Sequence, residues 1–210
     1  MEIALAGWSI NRRFRREHDP LKLTDYPRLA IEEFGINRIE LNSPFFVYDN
    51  PQEQATSRIP AEYLRQLKRA ADDVNVKIVG IAVDGHGNLG AVDPAERRKA
   101  VENHRKWFDV CHALGCPAFR ANAGGKGRQS TPQEVKASTE SFAQLAKWAE
   151  SEGVTVLMEN HWGVSANPDN MVQIITAVDS RNFGALADFG VHACPPSARN
   201  CLSTMSLMRC

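Results

Sequence analysis

Short β-rich runs alternate with longer amphipathic segments along the chain. The runs are apolar, are bounded by glycine or polar residues, and predict six strands, at residues 2–9, 38–43, 76–84, 118–124, 155–161 and 183–190. Between them, apolar residues recur at helical spacing in three stripes, at residues 64–74, 101–114 and 135–149. This order is typical of βα units that surround a parallel sheet.

The ends of the predicted helices carry recognisable signals. Asp93-Pro94 and Thr131-Pro132 each place a capping residue before a proline, which predicts a helix start. Three glycines each follow a helical stripe and precede a strand, and we expect them to cap helix C-termini: Gly35, Gly115 and Gly153. The first strand-to-helix turn lacks the G-x-G-x-x-G pattern of a dinucleotide-binding fold. The pattern therefore predicts an α/β chain in the form of an incomplete (β/α)8 TIM barrel with about six βα units.

Composition changes this picture at the C-terminal end. The chain has 210 residues, whereas a complete barrel of this type has about 250. Residues 191–210 contain only two charged side chains, Arg199 and Arg209, and three of the five cysteines. We expect a partial barrel over residues 1–190 followed by an atypical tail over 191–210, which we interpret as a frameshifted or aberrantly terminated end.

Charge and hydropathy exclude several classes of protein. The 25 Lys and Arg residues balance 25 Asp and Glu residues, so the clustered positive charge of a nucleic-acid binder is not expected. No stretch approaches the roughly 20 apolar residues of a membrane span. The odd cysteine count and an N-terminus that is not a secretory signal favour reduced thiols and a cytoplasmic location.

Polar side chains occupy the C-terminal parts of strands that should be apolar on both faces. Side chains alternate along a strand, so residues two apart share a face. Three polar pairs do so: Glu40 with Asn42, Arg120 with Asn122, and Glu159 with His161. Asp188 lies at the end of the predicted sixth strand. The C-terminal ends of barrel strands form the mouth, where active sites are built. For the asparagines, simple emergence into solvent at a strand end is an equally good interpretation.

Glu159 and Asp188 carry the functional interpretation, because two acids on adjacent strands repel each other unless a cation lies between them. Two carboxylates and a histidine suit Mg, Mn, Co or Zn as divalent ions. Such an ion holds adjacent oxygens of a hydroxy-carbonyl substrate and stabilises the enediolate that forms when a carboxylate removes a proton. This chemistry is that of sugar isomerisation or epimerisation.

Two histidines outside these strands have competing interpretations. His86, in the loop DGHGNLG after the third strand, is a candidate substrate contact, but the pattern favours an exposed loop histidine. His104 falls on the apolar stripe at 101–114, which favours a packed helix residue over a ligand.

Several motifs together resemble the sugar phosphate isomerase/epimerase family, the xylose isomerase-like barrels that also include endonuclease IV. They are AGWS at 6–9, IELNSPFF at 39–46, AVENHRKWFDVCHALGCPAFRANAGG at 100–125, MENHWG at 158–163 and ALADFG at 185–190. The resemblance implies that Glu159 and Asp188 are metal ligands and that Glu159 also takes part in proton transfer. It further implies that Arg120, Asn122 and His161 line the substrate pocket.

The chain also departs from this family. The family's metal site is completed by a histidine of the seventh strand and a glutamate of the eighth, which six βα units do not provide. Val191 stands where family members of this subtype have asparagine and where endonuclease IV has a histidine. The three-metal site of the endonuclease is therefore not expected.

The sequence thus predicts a metal-dependent isomerase or epimerase that acts on a small sugar or sugar phosphate. The alternatives are a non-catalytic, truncated fragment of such an enzyme and, last, a metal-dependent phosphodiesterase of the endonuclease IV type. No nucleic-acid or membrane partner is expected. Six of eight units leave open edges at the first and sixth strands, so we expect self-association through them.

Overall fold

The computed structural model describes residues 2–125 and 129–189. The predicted atypical tail at 191–210 lies outside the described residues. The strands are β1 (Leu5–Ala6), β2 (Arg38–Asn42), β3 (Lys77–Val83), β4 (Ala118–Ala121), β5 (Thr155–Glu159) and β6 (Phe183–Leu186). They form one sheet in the order β1-β2-β3-β4-β5-β6, and the pairs β1–β2, β2–β3 and β5–β6 are parallel. The prediction of an α/β fold with six βα units is confirmed.

The helices connect successive strands, as a βα pattern requires. They are α1 (Asn11–Phe14), α2 (Tyr26–Phe34), α3 (Ala61–Asp72), α4 (Pro94–Leu114), α5 (Pro132–Glu152) and α6 (Pro168–Val178). Short 3₁₀ helices cover Gly7–Ile10, Ser43–Phe45, Pro51–Glu53 and Gly163–Ala166. In the described part of the chain, no helix is both long and apolar enough to cross a membrane.

The predicted helix ends are confirmed in detail. α5 begins at Pro132 with a capping box, in which the Thr131 hydroxyl accepts a hydrogen bond from Glu134 N and Glu134 Oε2 accepts one from Thr131 N. Gly35 and Gly153 end α2 and α5 with φ of 65° and 66°. This left-handed conformation is easily adopted only by glycine, which explains the helix ends at these positions.

The chain divides into two compact units. Residues 2–86 and 103–119 form the first unit, and its core includes the fully buried side chains of Ile39, Leu41 and Trp107. Residues 87–102, 120–125 and 129–189 form the second, in which α5 and α6 cover β5 and β6. In this second unit the rings of Phe142 and Phe183 are stacked 4.8 Å apart.

The strands end earlier than the sequence pattern predicts. The predicted runs 118–124, 155–161 and 183–190 stop as strands at Ala121, Glu159 and Leu186. Residues 122, 160, 161 and 188 therefore lie in the connections that follow the strands. The prediction that Asn122, His161 and Asp188 are strand residues is wrong. Their side chains are placed by the connecting segments rather than by strand alternation.

Candidate metal and active site

The ends of β5 and β6 bring two carboxylates and an imidazole together. The two strands pair in parallel, with Glu159 opposite Leu186, so their C-terminal ends are adjacent. Glu159 is the last residue of β5, and Asp188 lies two residues after β6. Potential ligand atoms of Glu159, His161 and Asp188 all lie within 4.8 Å of one another. The second unit thus assembles three of the residues that the sequence singled out.

A tight turn places His161 beside Glu159. The His161 backbone N–H donates to the Glu159 carbonyl at 3.0 Å, an i to i+2 hydrogen bond of the γ-turn type. The turn bends the chain directly after the strand, so His161 does not continue the strand. Trp162, the next residue, is exposed.

Arg120 of β4 supplies a positive charge to this cluster. Its Nε lies 2.9 Å from Glu159 Oε2, and the two side chains are only 7% and 11% exposed. A carboxylate buried to this degree loses most of its hydration, and a guanidinium at contact distance offsets part of that cost. Asn122 follows two residues later along the chain and is half-buried. The pairing places a positive charge beside the Glu159 carboxyl group at this buried strand end.

Close backbone packing fixes the connection that follows β4. The Val164 N–H donates to the Gly124 carbonyl at 2.8 Å, which joins this connection to the segment after His161. A Cβ placed on Gly163 would lie 1.9 Å from the same carbonyl oxygen. Ser138 of α5 donates its hydroxyl to the Ala123 carbonyl at 2.8 Å. These contacts hold the residues next to Asn122 and His161 in place.

Glu40 and His86 belong to the first unit. Glu40 lies in β2 and is half-buried. The His86 ring is 2% exposed and packs against Trp107 and His104 of α4, with ring centroids 5.3 and 5.8 Å apart. The favoured interpretation of His86 as an exposed loop histidine is therefore wrong. The packing of His104 is as predicted, since it is also buried.

The surroundings of His86 favour its neutral form. Its Nδ1 lies 2.7 Å from the Asp84 carbonyl oxygen, and a carbonyl can only accept, so the neutral ring carries its proton on Nδ1. Burial, and next the proximity of His104, lower the pKa of His86 to about 3. A substrate contact for Glu40 or His86 stays a prediction.

Sequence reasoning missed Asn160, which lies between Glu159 and His161. Its side-chain amide donates to the Asp188 carbonyl at 2.8 Å and accepts from the Asp188 N–H at 2.6 Å. The available signal was the motif MENHWG, in which an amide lies between two candidate ligands. Strand alternation places Asn160 on the face opposite to Glu159 and His161.

Sequence comparison decides the family of this barrel. The family described as xylose isomerase-like TIM barrel matches residues 29–193. The chain belongs to this family. A search of curated proteins finds no match to it.

Solved structures with the xylose isomerase-like fold resemble the chain at low sequence identity. One is the probable 3-DHS dehydratase AsbF of Bacillus anthracis, with a TM-score of 0.67, 20% identity, and coverage of 90% of this chain and 63% of that one. Another is D-psicose 3-epimerase of Clostridium cellulolyticum H10 with D-tagatose, with a TM-score of 0.67, 15% identity, and coverage of 90% and 63%. A third is a xylose isomerase-like TIM barrel protein of Mycobacterium smegmatis in complex with magnesium, with a TM-score of 0.70, 16% identity, and coverage of 97% and 71%.

These identities establish the fold alone. The chain spans 63% of the length of the dehydratase and of the psicose epimerase.

Proposed function

We propose that the chain forms part of a metal-dependent isomerase or epimerase that moves a proton between carbons of a sugar or sugar phosphate. The observation that carries the proposal is the cluster of Glu159, His161 and Asp188, whose ligand atoms lie within 4.8 Å of one another. It lies at the C-terminal ends of parallel strands, which is where barrel enzymes build their active sites.

The donor set fits a divalent cation. Two carboxylates and one imidazole are ligands shared by Mn, Mg, Co and Zn. Two donors on opposite sides of an ion such as Mg²⁺ lie about 4.2 Å apart, so the observed spacing is close to what one ion requires. Glu159, His161 and Asp188 would hold this ion. When bound, it would supply positive charge that stabilises the negative charge developing on a substrate oxygen.

The chain's own residues have distinct roles in this proposal. Glu159 would accept the proton from the carbon next to the carbonyl, because it is a buried carboxylate at the strand end. Arg120 would hold that carboxylate in one orientation through the 2.9 Å ion pair. Asn122 would contribute an amide to bind substrate hydroxyl groups. Glu40 and His86 are proposed substrate contacts of the first unit.

Two of the similar structures support this choice of chemistry. One relative is an epimerase solved with the ketose D-tagatose, and another is solved in complex with magnesium. Carried to this chain, these ligands suggest a small polyhydroxylated ketose together with a divalent ion.

Product analysis with matched variants tests the proposal. The chain is incubated with Mn²⁺ and a panel of ketoses and ketose phosphates, and the sugars are separated by chromatography. We expect a new epimer or isomer from at least one substrate, which disappears in Glu159→Gln and on chelation. Glu150→Gln is the control, because Glu150 is a carboxylate of the same unit whose Oε1 accepts from Ser180 on the surface.

Two results would contradict the proposal. Absence of turnover together with absence of Mn²⁺ binding would favour the non-catalytic fragment. Cleavage of abasic DNA would favour the phosphodiesterase.

A further inference from the structure

Asn160 bonds to both polar groups of the Asp188 backbone. The Asn160 Nδ2 donates to the Asp188 carbonyl at 2.8 Å, and its Oδ1 accepts from the Asp188 N–H at 2.6 Å. A side-chain amide is one of the few groups that offer a donor and an acceptor in one plane. Asn160 therefore exchanges two hydrogen bonds with Asp188, as a directly opposite residue does in a hydrogen-bonded pair of antiparallel strands.

The two hydrogen bonds lie just beyond the paired part of β5 and β6, where they fix the backbone of Asp188. Regular pairing of β5 and β6 ends at Glu159 and Leu186, two residues before Asp188. The Asn160 amide continues the connection beyond that point. Because the N–H and the C=O of Asp188 are both held, its backbone is fixed on each side of Cα. The direction in which its carboxylate leaves the chain is thereby restricted.

The turn after β5 orients the other two members of the cluster, Glu159 and His161. Glu159 and His161 flank Asn160 and are joined by the 3.0 Å backbone hydrogen bond. The segment 159–161 thus carries the side chains of Glu159 and His161, and its central residue, Asn160, holds the backbone of Asp188. Any rotation of this segment would move all three together.

We propose that Asn160 is the positioning residue of the cluster, which sets the Asp188 carboxylate at the distance from Glu159 and His161 that a divalent ion needs. This inference rests on the proposed function, because it assigns Asn160 a role in the same site. Removing a group that orients a metal ligand typically lowers metal affinity about 10- to 100-fold.

Asn182 offers a matched control. Its Nδ2 donates to the Val154 carbonyl at 3.1 Å, so it also joins the β5 and β6 segments through an asparagine amide. It does so before the strands begin, at the end opposite to Asp188. Asn182→Ala removes a comparable hydrogen bond without touching the cluster.

The first test measures hydrogen exchange of the Asp188 N–H in the metal-free protein. We expect Asn160→Ala to reduce its protection about tenfold, because the amide loses its acceptor, and Asn182→Ala to leave it unchanged. Unchanged protection in Asn160→Ala would overturn the proposal. This measurement requires no metal and no turnover.

The second test titrates Mn²⁺ by calorimetry and records the visible absorption spectrum of bound Co²⁺. We expect Asn160→Ala to bind Mn²⁺ about 10- to 100-fold more weakly and to change the Co²⁺ spectrum, while Asn182→Ala retains both properties. Equal affinity in wild type and Asn160→Ala, or an equal loss in both variants, would overturn the role of Asn160. A wild-type chain that binds no Mn²⁺ would overturn the proposed function itself, so the two failures are distinguishable.

Discussion

Two glycines with the same backbone conformation should respond differently to alanine. Gly153 and Gly163 have φ of 66° and 65°, so a Cβ costs each about 1–2 kcal/mol in backbone strain. The Cβ of Gly153 would meet nothing within 4 Å, whereas that of Gly163 would lie 1.9 Å from the Gly124 carbonyl oxygen. Gly163→Ala must therefore also separate two packed segments, which typically adds about 1–3 kcal/mol. It also breaks the hydrogen bond from Val164 N to Gly124 O, worth about 1 kcal/mol.

Thermal unfolding of both variants measures this difference. We expect Gly153→Ala to lower stability by about 1–2 kcal/mol and Gly163→Ala by about 3–6 kcal/mol. For a chain of this size the gap corresponds to roughly 10 °C in Tm. Equal losses in the two variants would refute the close approach of the segments after β4 and after His161. An Arg120 side chain displaced from Glu159 in Gly163→Ala would show that this approach also shapes the cluster.

Three further predictions concern charges and a helix start. Arg120→Met removes the guanidinium that faces the buried Glu159 carboxylate and should cost about 3–5 kcal/mol in urea unfolding, whereas Arg65→Met, in an exposed pair at 2.6 Å, should cost far less; similar losses would argue against a buried pair. Burial lowers the pKa of His86 to about 3, so the folded chain stays neutral there while the unfolded chain gains a proton below about pH 6.5. Stability should then fall as the pH drops from about 6.5 toward 3, by up to about 1.4 kcal/mol per pH unit, and urea unfolding across this range should show a shallower fall in His86→Gln. Thr131→Ala removes the capping box of α5 and should cost about 1 kcal/mol in the same assay. Thr139→Ala should cost less, because the Thr139 hydroxyl only donates to the Val135 carbonyl within the helix. An equal loss in the two variants would contradict the capping role of Thr131.

Periodicity and cap chemistry predicted the fold well, because both signals are local. Thr131-Pro132 and Gly153 mark the two ends of α5, and the structure places them there. Each depends on hydrogen bonds or backbone angles of a few neighbouring residues. The strand ends were predicted less well, since polar residues after β4, β5 and β6 continue an alternating pattern without pairing.

Local sequence signals predict only part of the candidate site. Glu159 and Asp188 were identifiable because acids are unexpected at the ends of buried strands, and the structure brings both together with His161. The burial of His86 against α4 depends on a contact with Trp107, 21 residues away in sequence, and no local pattern encodes it. The role of Asn160 likewise depends on the residue 28 positions later to which its amide bonds.

Deuterium incorporation from D₂O tests proton transfer at Glu159 most directly, since it detects the half-reaction even without net product. The chain is incubated with Mn²⁺ and a responsive ketose in D₂O, and NMR follows the proton at the carbon next to the carbonyl. We expect exchange above the uncatalysed rate that is lost in Glu159→Gln and on chelation and retained in Glu150→Gln. Exchange that persists in Glu159→Gln, or that is indifferent to the metal, would contradict metal-dependent proton transfer at Glu159.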